Sequence, residues 1–422
     1  MGPGRRRLGV VSRNKIWSGF SLEPLATAGS EVPVIVSYRP SADRVARVQG
    51  LDGVAPQRHY RVLPFVAARV TAAGLYNLEQ DPAVDHIWPD LPVRVHLDKA
   101  VPYIHAPAVW FEGPKGHGVR VAIVDTGIDA NHPDLQGRVT ASADFTGEGP
   151  NDGHGHGTHV AGIVAGSGAA SGGRYRGVAP EAELCAAKVL RSDGSGMTST
   201  VIAGLEWAAE QSVHVVNLSL GNAGSSDGTD ALSYACDTIM AKGIVVCVAA
   251  GNEGPGNYSI GSPGAARQVI TVGACTLDRQ VAEFSSRGPT RDGRAKPDLL
   301  LPGVTITSCR AAGTKMGSPV DEYYTCASGT SMATPLAAGL AALLVEAFPD
   351  LRAPDIKERL KSAAIDLKLS PYAQGAGLAD ALRAYQGEQG PPVEAPVPPP
   401  PPAGCLLSAA SLLGKAIGRE LR

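Results

Sequence analysis

The residue pattern predicts an α/β fold: a central parallel sheet covered by helices on both faces, with a small α+β unit ahead of it. Three observations point there. Nearly continuous apolar runs of strand length recur at residues 119–124, 184–189, 213–218 and 243–249, and strands without alternation are those buried on both faces, as in parallel sheets. Between them lie stretches with helical spacing, at 160–165, 200–211 and 231–241, the rhythm of strand–helix crossovers. Gly (51) and Pro (33) together make up about a fifth of the 422 residues, which suits an enzyme with many tight loops.

In chain order, residues 1–30 start basic (Arg5, Arg6, Arg7) and turn Gly/Ala/Ser-rich, a segment expected to be flexible. Residues 31–97 carry their own pattern. A Val/Ile-rich strand at 31–38 precedes a helix at 43–51 (Val45, Val48, Leu51), then strands at 60–63 and 65–70. A second helix at 71–80 (Leu75, Leu78) has Thr71 as its cap, and strands at 84–88 and 93–97 close the unit. The order β-α-β-β-α-β predicts a ferredoxin-like arrangement. Residues 98–386 form the parallel-sheet domain. Residues 387–404 are a Pro-rich linker, expected to be extended. In the tail at 405–422, Leu406, Ala409, Leu413, Ile417 and Leu421 share a helix face while Lys415, Arg419 and Arg422 lie mostly elsewhere. Such a basic amphipathic helix suits a membrane surface or a protein partner; a frayed tail is the plainer alternative.

Composition narrows the function. With 38 basic and 40 acidic side chains the net charge is −2, so the chain offers no clustered cationic excess for nucleic acid. No apolar run reaches bilayer length, and the stretch at 8–11 is too short for a secretory segment. The seven cysteines lack metal-type CxxC spacing. Cys247 reads as a buried strand thiol, and Cys309 and Cys326 as either a disulfide or two free thiols.

Four segments carry candidate chemistry. Asp125 follows the strand at 119–124, where a carboxylate points into the crevice at the C-terminal edge of a parallel sheet; a capping Asp is the plain alternative. His156 lies in His154-Gly155-His156-Gly157-Thr158-His159, ahead of a helix. Three histidines in six residues also suggest metal, but no Glu base lies among them as a zinc-peptidase helix requires. Ser331, in Ser328-Gly329-Thr330-Ser331-Met332-Ala333-Thr334-Pro335, opens a long apolar helix, whose first N–H groups face incoming negative charge. An ordinary capping serine is the alternative. Asn252, in Gly251-Asn252-Glu253-Gly254, follows the strand at 243–249 and offers a side-chain amide; a turn asparagine is the alternative, and a phosphate loop would need a lysine that is missing.

Taken together, the segments at 121–135, 155–162, 251–254 and 329–335 resemble the signature regions of the subtilisin-like serine peptidase family, in the order Asp, His, Asn, Ser known for that family. The resemblance covers nearly all of 98–386. It implies a serine endopeptidase in which Ser331 is the nucleophile, His156 the general base, Asp125 its orienting carboxylate, and Asn252 an oxyanion donor. It also implies that Gly194-Ser195-Gly196 and Ser219-Leu220-Gly221 clamp an extended peptide by strand addition. Gly221, Ala249, Ala250 and Gly261 would wall a primary pocket suited to a bulky apolar side chain, and Gly251 is counted with the substrate-binding residues.

The same resemblance makes residues 31–97 a propeptide that inhibits its own enzyme, with self-cleavage near the Leu97–Asp98 bond ahead of Val101-Pro102-Tyr103. No cofactor is expected for the chemistry. Asp134 matches a family calcium ligand, but residues 166–175 are poor in oxygen side chains, so that calcium site is in doubt. A monomer is expected. Secreted relatives favour an extracellular setting, and the lack of a readable secretory segment leaves a cytoplasmic one open. Three rivals stand beside this reading: a catalytically silent peptide binder, a metallohydrolase built on the histidines, and an esterase.

Overall fold

The computed structural model describes Lys15 and residues 30–39, 48, 50–60, 64–90 and 97–390. The expected helix at 43–51 falls largely outside them, with only Val48 seen in a helix, as do the tail at 405–422 and the linker beyond 390. Contacts divide the chain into two compact units, Met1–Arg94 and Val95–Arg422.

The first unit holds strands β1 (Val32–Tyr38), β2 (Val54–His59), β3 (Phe65–Val70) and β4 (Val84–Pro89), with helix α1 (Ala72–Gln80) between β3 and β4. The sheet order is β2-β3-β1-β4 and every pair is antiparallel, the ferredoxin-like arrangement. Val34, Val36, Val66, Val70, Leu75 and Leu78 form its core. Thr71 caps α1 as expected, its hydroxyl accepting from the Gly74 N–H at 3.2 Å.

Two expectations for this unit are corrected. The second strand is Val54–His59, not residues 60–63; Tyr60 lies just past its end and 61–63 are outside the described residues. Val-Ala-Pro-Gln-Arg-His reads poorly as a strand, but β2 is an edge strand and Pro56 sits beside its register shift, where a missing N–H is tolerated. Leu97 does not end a strand. It opens helix α2 (Leu97–Tyr103), followed by α3 (Ala106–Phe111).

The second unit is built on seven parallel strands: β5 (Arg120–Asp125), β6 (Val139–Asp144), β7 (Glu183–Lys188), β8 (Val215–Leu218), β9 (Val245–Ala249), β10 (Ile270–Cys275) and β11 (Leu299–Pro302). Their order is β11-β10-β9-β8-β5-β7-β6. Helices α4 (His156–Ala165) and α7 (Thr330–Ala347) pack on each other and on the sheet. Helices α5 (Thr198–Glu210) and α6 (Ala231–Ala241) pack as a second pair. The result is the expected three-layer α/β fold. A small antiparallel sheet of β12 (Ile306–Cys309), β13 (Ser318–Pro319) and β14 (Tyr324–Ala327) lies against α4.

Cys247 is buried in β9, as expected. Cys309 and Cys326 are free thiols, standing opposite Tyr324 and Thr307 in the β12–β14 register rather than opposite each other. One helix does pass the length and hydropathy test for a membrane span, contrary to the sequence reading. It is α7, with mean hydropathy 1.4 and 78% of its length buried inside the protein, so it is a core helix.

A buried charge cluster ties the edge of the sheet to helix α8 (Ala353–Ser362). Asp298 accepts from Lys296 at 2.6 Å and lies 3.1 Å from the Lys357 ammonium, and it also accepts from the Thr271 N–H at 2.7 Å. Burial works against its charge, but the two ammonium groups hold its carboxyl well below the usual carboxylate range. Asp298→Asn is expected to lower the stability of this unit by about 3–5 kcal/mol in guanidinium unfolding, because both ammonium groups lose their counter-charge. A loss below about 1 kcal/mol would mean that the cluster behaves like a solvated surface pair.

Candidate active site

Strands β5, β8 and β9 are neighbours, or next neighbours, at the middle of the sheet, and their C-terminal ends bring three segments together. Asp125 is the last residue of β5, Ser219 follows β8, and Asn252 follows β9. Helices α4 and α7 begin at the same edge, placing His156 first in α4 and Ser331 second in α7.

Asp125 is fully buried. Its Oδ1 accepts from the Thr126 N–H at 2.8 Å and from His156 Nδ1 at 2.7 Å. That contact fixes the imidazole proton on Nδ1 and leaves Nε2 with its lone pair. Burial pushes the His156 pKa down, but the charge of Asp125, its hydrogen bond and the more distant charge of Asp152 outweigh this. The net shift is upward from the ordinary 6.5.

The start of α4 is held by a residue that sequence reading passed over. Asp152 is buried and accepts from Thr126 Oγ1 (2.9 Å), His154 N (3.0 Å), Gly155 N (2.7 Å), Thr158 N (2.9 Å) and Thr158 Oγ1 (2.7 Å). An Asp just ahead of a helix start was the available signal. Gly157 must lack a side chain, because a Cβ there would collide with the Gly127 carbonyl and press on Asp125.

Ser331 donates its hydroxyl to the Ser219 carbonyl at 3.0 Å, while Ser219 Oγ donates to the Ser331 carbonyl at 2.9 Å. Among the described residues no hydrogen bond joins Ser331 to His156. His156 and Ser219 line one groove and Ser331 lines the pocket beside it, with Leu220, Gly221 and Asn222 bordering both. Asn252 Oδ1 accepts from Thr330 N (2.9 Å) and Thr330 Oγ1 (3.1 Å), which turns its Nδ2 the other way. A Cβ built on Gly329 would stand 3.6 Å from both Asn252 Nδ2 and Ser331 N. Two donors therefore converge on one small space.

All the expected binding residues border this cleft. Gly194, Ser195, Gly196, Ser219, Leu220 and Gly221 line a groove of about 550 Å³ together with His156. Ala249, Ala250, Gly251 and Gly261 line an adjoining pocket of about 130 Å³ with Asn252 and Ser331, and Leu220 and Gly221 border both. Glu253, not singled out from sequence, lines that pocket too. Among the described residues the N–H groups of Leu220 and Gly221 meet no protein acceptor.

The histidine-cluster alternative fails on geometry. Buried His159 uses Nε2 toward the Ile306 and Thr325 carbonyls, at 3.1 and 3.2 Å, away from the cleft. Burial and the nearby His156 charge hold its pKa down to about 3. Among the described residues, the one cluster with metal-type spacing is His132, Asp134 and Cys309.

Comparison with known proteins gives the family. The Subtilase family profile matches residues 116–384. Serine protease AprX of Bacillus subtilis is 41% identical over 350 residues, covering 76% of this chain and 79% of that protein. Subtilisin E of the same organism is 35% identical over 382 residues, covering 88% and 94%. A solved cold-adapted subtilisin-like serine proteinase superposes with a TM-score of 0.53 at 33% identity, covering 64% of this chain and 89% of that one. With the fold, the cleft and these relatives in agreement, the chain belongs to the subtilase family and is a subtilisin-like serine endopeptidase.

Proposed function

We propose that Asp125, His156 and Ser331 form the catalytic triad, with Asn252 and the Ser331 N–H as oxyanion donors. The observation that carries the reading is the 2.7 Å contact between His156 Nδ1 and buried Asp125, at the same sheet edge as Ser331. The Ser331 hydroxyl turns from the Ser219 carbonyl toward His156 Nε2 when substrate enters; catalytic contacts commonly tighten only in the complex. His156 takes the hydroxyl proton as Oγ bonds to the scissile carbonyl carbon, and the oxyanion accepts from Asn252 Nδ2 and Ser331 N. His156 then hands the proton to the leaving amine, giving the acyl-enzyme, and water reverses the sequence to release the acid. Asp125 keeps the proton on Nδ1 and stabilises the imidazolium.

The polypeptide substrate lies extended between the two clamp segments, accepting from the N–H groups of Leu220 and Gly221. The pocket walled by Ala249, Ala250, Gly221 and Gly261 takes a bulky apolar side chain just before the scissile bond. Residues 31–97 act as an inhibitory propeptide, removed by self-cleavage near the Leu97–Asp98 bond. A scissile segment must be extended, so α2 forms after that cut or unwinds for it. Ser331→Ala is expected to leave the full-length precursor intact by mass spectrometry, while the parent loses its first unit. Maturation of that variant without an added protease would sink the self-processing reading.

The base must be neutral to accept a proton, so the acid limb of kcat/KM has its midpoint at the folded pKa of His156, above 6.5. On stability the same shift has the opposite sense: its contribution is full below the ordinary value and is lost as pH rises through the raised one. Asp125→Asn is expected to move the acid limb downward and cut kcat by about 10⁴, the size seen when other triads lose this carboxylate. An unmoved acid limb would show that some other group controls the profile.

Gly329→Ala would put a methyl between the two oxyanion donors. It is expected to lower kcat/KM of the folded enzyme by on the order of 10², comparable to losing the asparagine donor in a subtilisin, and to lower the thermal midpoint as well, because Gly329 holds φ 158° and ψ 162°, a conformation that residues with side chains rarely adopt. Unchanged kinetics would place the oxyanion elsewhere.

A further inference from the structure

The family resemblance implies a calcium ligand at Asp134, and the surroundings of that carboxylate do not fit the role. Asp134 is fully buried, and protein hydrogens occupy both of its oxygens. Oδ1 accepts from Ala170 N at 2.9 Å; Oδ2 accepts from the Tyr324 hydroxyl at 2.8 Å and lies 3.8 Å from Cys309 Sγ. Its main-chain carbonyl accepts from Ser167 N at 3.0 Å. Calcium requires about 6–8 oxygen ligands, and the carbonyls of the adjoining loop are also engaged. Gly166 O accepts from Gly177 N, Gly168 O from Gly173 N, each at 2.8 Å, and Ser167 O from Arg176 Nε at 3.3 Å.

Charge points the same way. Where a cation would need negative neighbours, the loop carries Arg174, whose guanidinium lies 5.1 Å from the Tyr175 ring, and Arg176. Tyr175 in turn packs on Tyr324 with ring centres 4.5 Å apart, so the aromatic pair fills the space beside the carboxylate.

A softer ion at His132, Asp134 and Cys309 meets a similar obstacle. His132 Nδ1 accepts from Asp134 N at 3.1 Å and its Nε2 faces the Tyr323 carbonyl at 2.8 Å, so both ring nitrogens are engaged. The third member, Cys309, is buried with its Sγ directed at Asp134 Oδ2 at 3.8 Å.

We propose that the Tyr324 hydroxyl, donating to Asp134, is a protein latch standing where relatives place a cation, so that this enzyme holds residues 166–178 without a divalent ion at Asp134. The inference concerns the fold alone and does not depend on the catalytic roles assigned above. The test uses the full chain with Ser331→Ala, which prevents self-digestion, and calcium and zinc ions as probes. Thermal midpoints are expected to coincide in chelator and in excess of either ion. Adding Tyr324→Phe should lower the midpoint by several degrees, and neither ion should restore it. A midpoint raised by calcium or zinc in the parent, with that rise abolished by Asp134→Asn, would overturn the proposal. A rise retained in Asp134→Asn assigns the ion to another site and supports it. Should Asp134→Asn fail to fold, terbium decides on the folded parent. Tyrosine-sensitised emission that falls in Tyr324→Phe overturns the latch, and absence of such emission upholds it.

Discussion

Asp125 carries its carboxylate at the end of a central parallel strand with no solvent contact, and a charge so placed must be matched by donors in fixed positions. The Thr126 N–H and His156 Nδ1 supply them. Much of the surrounding structure serves this one contact. Helix α4 must start where its first residue can reach the end of β5, and Asp152 fixes that start by tying Thr126, Gly155 and Thr158 to one carboxylate. Gly157 lets α4 approach the Gly127 carbonyl closely enough to bring the imidazole in. On its far side α4 is anchored by His159, which reaches the carbonyls of β12 and β14 with a ring nitrogen. Two histidines three residues apart thus have opposite assignments. One is held near a charge and titrates upward; the other is buried against carbonyls and stays neutral.

The serine side is organised by a different constraint. A helix start leaves N–H groups without partners inside the helix, and α7 begins at the open cleft with Gly329 in front of it. Thr330 binds Asn252 through both its N–H and its hydroxyl, which orients the amide. Ser331 and Ser219 exchange bonds, which locks α7 to the end of β8. The helix behind them is almost wholly buried, so its position is set by the core rather than by the site. A rigid apolar element thereby carries polar atoms to the edge of the cleft.

What could be read in the sequence followed from how strongly each feature was constrained locally. Fully buried strands such as β5 and β9 announce themselves by composition, and the Gly-flanked motifs around His156 and Ser331 cannot vary without moving the backbone. Edge strand β2 escaped because its partner strand and bulge, rather than its residues, make it a strand. Leu97 reads as strand because Val93, Val95 and Leu97 alternate with Arg94 and His96, whereas it opens a helix that continues through Tyr103. Asp152 was within reach of a sequence reading, since four of its five bonds go to residues 154–158 just ahead of and inside α4, and only the bond from Thr126 depends on β5 meeting that helix. Tyr324 is harder: its partner Asp134 is 190 residues away in sequence, and no local signal links them.

This last case bears on how such an enzyme endures its own activity. A protease is digested first at segments that open locally, and opening is easiest where a loop has few buried contacts. The turn at 166–178 is rich in glycine and small residues, so side-chain packing alone holds little of it. Its order comes from backbone bonds to Ile163 and Asp134, and from the rings of Tyr175 and Tyr324 packed at a tilt of 52° beside that carboxylate. The loop directly continues α4, which begins with His156, and Tyr324 opens β14, which leads through Ser328 and Gly329 into α7. Loosening of the loop would therefore be felt on both sides of the cleft. The polar contact at Asp134 belongs to the same mechanical frame as the one at Asp125, with β12 and β14 joining them through His159.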